Sequence, residues 1–389
     1  MYICIDNAVI FKNMETPFQY GKIVEDESFI DRIDDRKELK GFLSNGINTI
    51  LVSPRRWGKS SLVKVAMKEL AKEDKNIKVC FLDAFKIHSE EEFYDAFASA
   101  VIAGVSSTAE KRWGDFVKYI KSISPTISFN DSPMASVSLN LRFDPIKSNA
   151  ESILNLPEKM AEDKGVKVII CIDEFQQLAN ISEWKRLVST MRSVWQQQRR
   201  TTYCLYGSKM HMMTTIFNNT QSPFYKFGQL INLKCISKDY WIPYIVDNFK
   251  KTRKEISPEL AEKICETVQY NSWYIQQYCL FVWMHTDGIV TESDLDKELQ
   301  LVLDTNEESF LREIDELPAS QIAMLKAIAA GEQHLNAKET VARYRLGQPR
   351  TITLNKKKLI EKDIIEKDRG KIYILDPMFN LWLKREYGL

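Results

Sequence analysis

At 389 residues, 44% of them hydrophobic and 28% charged, the chain has room for two or three domains of about 100–200 residues each, and it is too apolar to remain unfolded. The formal net charge of +1 excludes a general electrostatic attraction to nucleic acid or to an anionic membrane, so any such affinity has to be local. No stretch reaches the roughly 20 apolar residues that span a bilayer, and residues 1–13 carry no basic leader, so no membrane partner is expected. Cys4, Cys80, Cys171, Cys204, Cys235, Cys265 and Cys279 are scattered singly and the four histidines lie far apart, which argues against zinc and for a reducing cytoplasm.

Residues 1–28 read as an N-terminal extension, with Met14 an equally reasonable start. Asp34 or Asp35 is expected to cap a helix whose apolar positions Leu39, Phe42 and Leu43 recur at helical spacing, and Gly46 ends it. The stretch from Asn48 to Val63, NTILVSPRRWGKSSLV, then reads as strand, tight loop and helix. A loop that ends in Gly-Lys-Ser and opens a helix is built for phosphate. The backbone amides of Ser53, Pro54, Arg55, Arg56, Trp57, Gly58, Lys59, Ser60 and Ser61 would surround the anion, less the one that Pro54 lacks. Lys59 would reach the β- and γ-phosphates and the Ser60 hydroxyl would ligate Mg²⁺. Ser53 stands where the full pattern has glycine; it is small enough for the turn but lacks glycine's freedom at positive φ. A plain surface turn before a helix is the competing reading, and a partner motif has to decide.

A helix from about Ser60 to Glu73 and a buried strand from Lys78 to Asp83 follow, then helices over Ser89–Val105 and around Trp113–Ile120. Between Pro125 and Asp144 the pattern alternates, which predicts an inserted hairpin at about 125–144. The partner motif is VKVIICIDEFQQL from Val166. Six of its first seven residues are apolar, as in a strand buried on both faces of a parallel sheet, and it ends in two acids that would face the ligand crevice. Asp173 is the candidate for holding Mg²⁺ and Glu174 for activating water, although acids also cap helices well. Thr201–Ser208 reads as a third strand with Ser208 as a candidate sensor of the γ-phosphate or its water, a Gly-Ser turn being the alternative. QLINLKCI from Gln229 completes five strands.

Taken together, PFQYG at Pro17, FIDR, SPRRWGKSSLV, IICIDEFQQL, MRSVW at Met191, LYGSKMHMM, SPFYKFG at Ser222, NSWYIQQY and YILDPMFNLWLK at Tyr373 resemble the archaeal-type ATPase family, of the STAND class of AAA-related P-loop ATPases. The likeness covers nearly the whole chain. It implies an α/β core with a five-stranded parallel sheet of order 5-1-4-3-2, an all-α lid and a winged helix-turn-helix domain. The expected division is 29–236 for the core, 237–315 for the lid and 316–389 for the winged helix. Lys226 or Phe227 stands where many relatives have an arginine finger, and one lysine cannot copy the guanidinium fork. Asn271, Ser272 and Trp273 replace the lid's usual Gly-x-Pro turn. Both departures predict slow intrinsic hydrolysis.

In the final segment, helices over about Pro318–Gly331 and Asn336–Arg345, and a third that a Gly347-Gln-Pro turn introduces and that runs to about Lys362, precede two strands around Asp368-Arg-Gly. Arg350, Lys356, Lys357 and Lys358 lie on the third helix, and Lys367, Arg369 and Lys371 on the wing. Three consecutive lysines cover about 200° of a helix, so at least one faces solvent and can meet a DNA phosphate, although such lysines are equally ordinary on a protein-binding surface. The reading is therefore an ATP-binding, Mg²⁺-dependent ATPase of switch type, its winged helix contacting duplex DNA or a protein effector. Two alternatives stand beside it. One is a DNA-binding regulator for which ATP is only a conformational ligand. The other is a homo-oligomeric remodelling motor, for which no substrate pore loop is recognisable.

Overall fold

The structure is a computed structural model that describes residues 16–21, 30, 32–106, 114–115, 118–119, 150–368 and 370–389. The hairpin expected at 125–144 and the wing residue Arg369 lie outside the described residues. The chain forms two compact units. One takes in Arg32–Arg55 and Lys59–Lys234, and the other the described N-terminal residues, Arg56–Gly58 and Cys235–Leu389.

The sheet unit is built on β1 (Thr49–Val52), β2 (Ile77–Asp83), β3 (Lys167–Asp173), β4 (Thr201–Gly207) and β5 (Gln229–Asn232). They are all parallel in the order β2-β3-β4-β1-β5, which is the expected 5-1-4-3-2. The central strands read as continuous apolar runs because both faces are covered: β1 and β4 are buried at every position, β3 at all but its ends. Register aligns the strand ends that matter, pairing Asp83 with Asp173 and Val52 with Gly207. Aromatic packing locks one face. Trp195 stacks on Tyr203 with centroids 4.0 Å apart, and Phe175 meets Phe217 and Phe224 at 5.6 and 5.7 Å.

The first helix, α1 (Ile33–Ser44), departs from expectation at its start. Its N-cap is Arg32, at φ 70°, and neither Asp34 nor Asp35 caps it, since both lie inside its first turn. The Asp35 carboxylate is committed to Arg32 Nη1 at 2.8 Å, and the same nitrogen donates to the Lys234 carbonyl at 2.9 Å. A charge-assisted bond to arginine has displaced the backbone cap. The next helix, α2 (Lys59–Glu73), opens directly from the phosphate-loop sequence, and the β2–β3 connection carries α3 (Glu90–Val105), whose N-cap is Ser89, the residue at which the sequence reading began the helix.

The second unit has one continuous core running from Phe18 through the helical segment into the C-terminal helices. Helices α4 (Lys238–Lys251), α5 (Pro258–Thr267), α6 (Ser272–His285) and α7 (Glu292–Asp315) are followed by the three helices of a winged helix-turn-helix, α8 (Ala319–Ala329), α9 (Lys338–Tyr344) and α10 (Pro349–Glu361). The wing is the antiparallel pair β6 (Ile365–Asp368) and β7 (Lys371–Ile374). In α10, Ile352, Asn355 and Leu359 turn inward at helical spacing, which leaves Lys357 and Lys358 exposed. The last helix, α11 (Pro377–Tyr387), is capped by Asp376, whose carboxylate accepts from the Met378 and Phe379 amides at 2.9 and 3.0 Å. Among the described residues no helix is long and apolar enough to cross a membrane.

Candidate nucleotide site

The loop between β1 and α2 bends twice through the left-handed region, at Arg56 (φ 69°) and Gly58 (φ 79°), and not at Ser53. Serine therefore replaces glycine at 53 without backbone strain, and the concern raised by the sequence pattern has a physical answer. Ser53 is buried and its hydroxyl donates to the Pro54 carbonyl at 3.2 Å. A β-carbon at Gly58 would meet open space, so glycine is required there by its φ alone. The first turn of α2 contains no acidic residue, so the positive end of its dipole is left for an incoming anion.

The carboxyl ends of β3 and β4 bring the other candidates to α2. Ser60 Oγ donates to Asp173 Oδ2 at 2.7 Å, and Lys59 Nζ stands 3.7 Å from Glu174 Oε1 with its side chain only 7% exposed. Ser208 Oγ donates to Glu174 Oε2 at 2.9 Å, so the expected sensor hydroxyl is engaged with the carboxylate. Glu174 itself sits at φ 48°, a left-handed turn that redirects the chain from the strand into the 3-10 segment Phe175–Asn180. Its own amide donates to Asp173 Oδ1 at 2.8 Å, which ties the two acids together.

The electrostatics of the two acids differ. Burial pushes the Asp173 carboxyl above the ordinary aspartate range, outweighing the opposing effects of Lys59 and Ser60. Burial also pushes Glu174 up, but Lys59 and the hydrogen bonds from Gln176 and Ser208 outweigh it and hold that carboxyl below the ordinary range. One acid is thus an electrostatically dissatisfied carboxylate next to a hydroxyl, and the other a carboxylate kept anionic by its neighbours. The Ser60 hydroxyl and Asp173 carboxylate form a hard-oxygen pair of the kind that suits Mg²⁺, which keeps several waters and takes its remaining ligands from phosphate. Among the described residues no cluster of three or more His, Cys, Asp or Glu could cage a metal by itself.

Two residues at the site were missed by the sequence reading. Gln176 is fully buried and its side-chain amide donates to Glu174 Oε2. Gly207 makes room for it, because a β-carbon there would lie 1.8 Å from Gln176 Oε1 and 3.0 Å from Met213 Sδ. The only sequence signal was the Gln-Gln pair following Asp-Glu-Phe. Gly207→Ala is expected to displace Gln176 from the carboxylate and lower turnover by roughly 10- to 100-fold, the worth of one hydrogen bond to a charged group, with ATP affinity little changed. Steady-state turnover measured beside calorimetric ATP binding checks it; equal loss in both would assign Gly207 to loop architecture instead.

The architecture is shared with solved structures. The Walker-type ATPase of Pyrococcus abyssi superposes with TM-score 0.70 at 18% identity, over 95% of this chain and 99% of that one. The ORC2 protein of Aeropyrum pernix, in its ADPNP–ADP complexes, gives 0.57 at 14% identity over 94% and 98%. No curated protein matches the chain. Residues 308–385 match the model of a probable winged helix domain. Residues 29–277, more than half of the chain, match the model of the ATPase domain found predominantly in Archaea, and the chain belongs to that family: it is a P-loop ATPase with a C-terminal winged helix.

Proposed function

We propose that the protein is a switch-type ATPase: it binds ATP with Mg²⁺, turns it over slowly when alone, and uses its winged helix as an output surface. The observation that carries this reading is the linked set Lys59–Glu174–Ser208 and Ser60–Asp173 at the carboxyl ends of adjacent parallel strands. Lys59 and the loop amides of residues 53–61 bind the phosphates, and Ser60 and Asp173 hold the metal. When bound, Mg²⁺ neutralises charge developing on the phosphate oxygens. Glu174, kept anionic and oriented by Ser208 and Gln176, positions the attacking water and takes its proton. Glu174 stands 3.7 Å from Lys59, so that pair has to loosen for the amine to reach a phosphate. The ADPNP–ADP complexes described for the Aeropyrum protein support an adenine nucleotide. The single scatter of the seven cysteines through the sequence supports a reducing cytoplasm. The domain division at about residues 236 and 315 belongs to the same proposal. The decisive experiment is the ATPase rate and the solution mass of the purified protein, with and without duplex DNA. Turnover without change of mass fits the switch, and turnover that requires assembly into a ring favours the remodelling motor.

A second reading, duplex DNA as the winged helix's partner, is favoured by the exposed row on α10. Arg350, Lys357 and Lys358 are solvent-facing, Lys356 is half-buried, and the wing adds exposed Lys367 and Lys371. If these residues grip a duplex, log affinity falls with log salt by roughly 0.9 per phosphate neutralised. Because the net charge is only +1, binding rests on this patch. Fluorescence anisotropy on mixed-sequence duplex at several salt concentrations should show the Lys356→Glu, Lys357→Glu, Lys358→Glu triple variant losing affinity, with a shallower salt slope. Equal, weak binding by both proteins would assign the surface to a protein effector.

A further inference from the structure

The tip of the phosphate loop, Arg56–Gly58, clusters with the unit that contains the helical segment and the winged helix. Within that unit the Arg56 side chain is held by several partners. Its Nη1 donates to the Tyr274 hydroxyl at 2.7 Å, and that hydroxyl donates to Asp376 Oδ2 at 2.7 Å. The same guanidinium nitrogen stands 3.9 Å from Asp376 Oδ2. The guanidinium carbon also lies 4.9 Å from the centre of the Trp273 ring and 5.4 Å from that of Tyr274, within range of cation–π attraction. Each partner is rigidly placed. Tyr274 is fully buried, Asn271 caps α6 by accepting from the Trp273 and Tyr274 amides, and Asp376 caps α11. Burial, with the Asp376 carboxylate beside it, raises the Tyr274 hydroxyl well above the ordinary tyrosine range, so it keeps the proton it donates.

The backbone explains why such an anchor matters. Arg56 carries a β-carbon yet sits at φ 69°, a conformation that non-glycine residues adopt only when their surroundings impose it. Gly58 takes its own left-handed bend freely; Arg56 does not. Successive amides around such bends form the concave nest that receives an anion. We infer that Tyr274 and Asp376 are positioning residues for the phosphate loop: acting through Arg56, they hold its left-handed bend and so preorganise the loop amides for nucleotide phosphates. The inference rests on the nucleotide-site reading above.

Two conservative variants separate this from a merely structural contact. Asp376→Asn keeps a good helix cap and an acceptor for Tyr274 while removing the charge, and Tyr274→Phe keeps the packing while removing the bridge. Affinity for a non-hydrolysable ATP analogue should weaken about two- to fivefold in the first, as expected for a partly exposed ion pair, and roughly three- to tenfold in the second. In an Arg56→Ala background, itself weakened, neither substitution should have any further effect. Amide hydrogen exchange of residues 55–58 in nucleotide-free protein should rise in both single variants and be unchanged by adding either to Arg56→Ala. This readout needs no nucleotide. A wild type that fails to bind the analogue while the exchange pattern holds would therefore overturn the nucleotide-site reading and leave the loop anchor standing. Tighter binding by the single variants, undiminished effects in the Arg56→Ala background, or unaltered loop exchange would each overturn the anchor.

Discussion

Alanine at Lys59 is expected to weaken ATP binding more than a hundredfold in a protein that remains folded. The ammonium is the one buried cation of the phosphate loop, 7% exposed. Hydrogen bonds from it to phosphate oxygens would be charge-assisted, worth about 1.5–3 kcal/mol each, and about 1.4 kcal/mol is tenfold in affinity, so two lost bonds account for the figure. A second effect works on the empty protein. Glu174 is only partly exposed and would lose the cation 3.7 Å from it. The hydrogen bonds from Ser208 and Gln176 remain, so the carboxylate is not abandoned and the melting temperature should fall by only a few degrees. Calorimetric titration of the folded variant gives the answer: wild-type affinity would remove Lys59 from the site, and a collapse of folding would show its main role to be neutralising Glu174.

What the sequence made legible and what it hid divide along physical lines. Strands buried on both faces write themselves as apolar runs, which is why β1, β3 and β4 and the residues at their ends could be read from Ile50–Val52, Val168–Ile172 and Tyr203–Leu205. Local chemistry also reads well: Gly58 before Lys59 and Ser60, Ser89 at the head of α3, the Gly347-Gln-Pro turn before α10. The strand order came from resemblance, because pairing between strands far apart in sequence leaves no mark on either one. Contacts of that non-local kind are what was missed. Gln176 is meaningful only because Gly207, 31 positions on, leaves space for it. Asp35 looked like a cap and became the partner of Arg32, whose other bond reaches Lys234. Arg56 was expected to offer the phosphate loop its backbone amide, and its left-handed backbone and bond to Tyr274 are visible only in three dimensions.

Glutamine at Glu174 is expected to trap ATP: turnover falls by about 10²- to 10⁴-fold, the contribution of a positioned general base, while binding is kept or tightened. The geometry shows why the two effects separate. Glu174 Oε2 takes hydrogen bonds from Ser208 and Gln176, and Oε1 faces Lys59. In the glutamine variant the amide oxygen can keep the first pair of bonds, which turns the NH₂ toward the ammonium. That replaces an ion pair with two facing donors, so Lys59 is released toward the phosphates at no electrostatic cost. Removing the carboxylate also removes a negative charge beside the γ-phosphate, which favours retention, and it leaves the water without a proton acceptor. Single-turnover hydrolysis measured alongside nucleotide affinity distinguishes the outcomes. Slow chemistry with tight binding supports Glu174 as the base, whereas wild-type turnover in the variant would pass that role to another residue. A wild type with no measurable turnover alone, with duplex DNA or at high concentration would leave the variant nothing to slow, and would favour ATP acting in this chain as a conformational ligand.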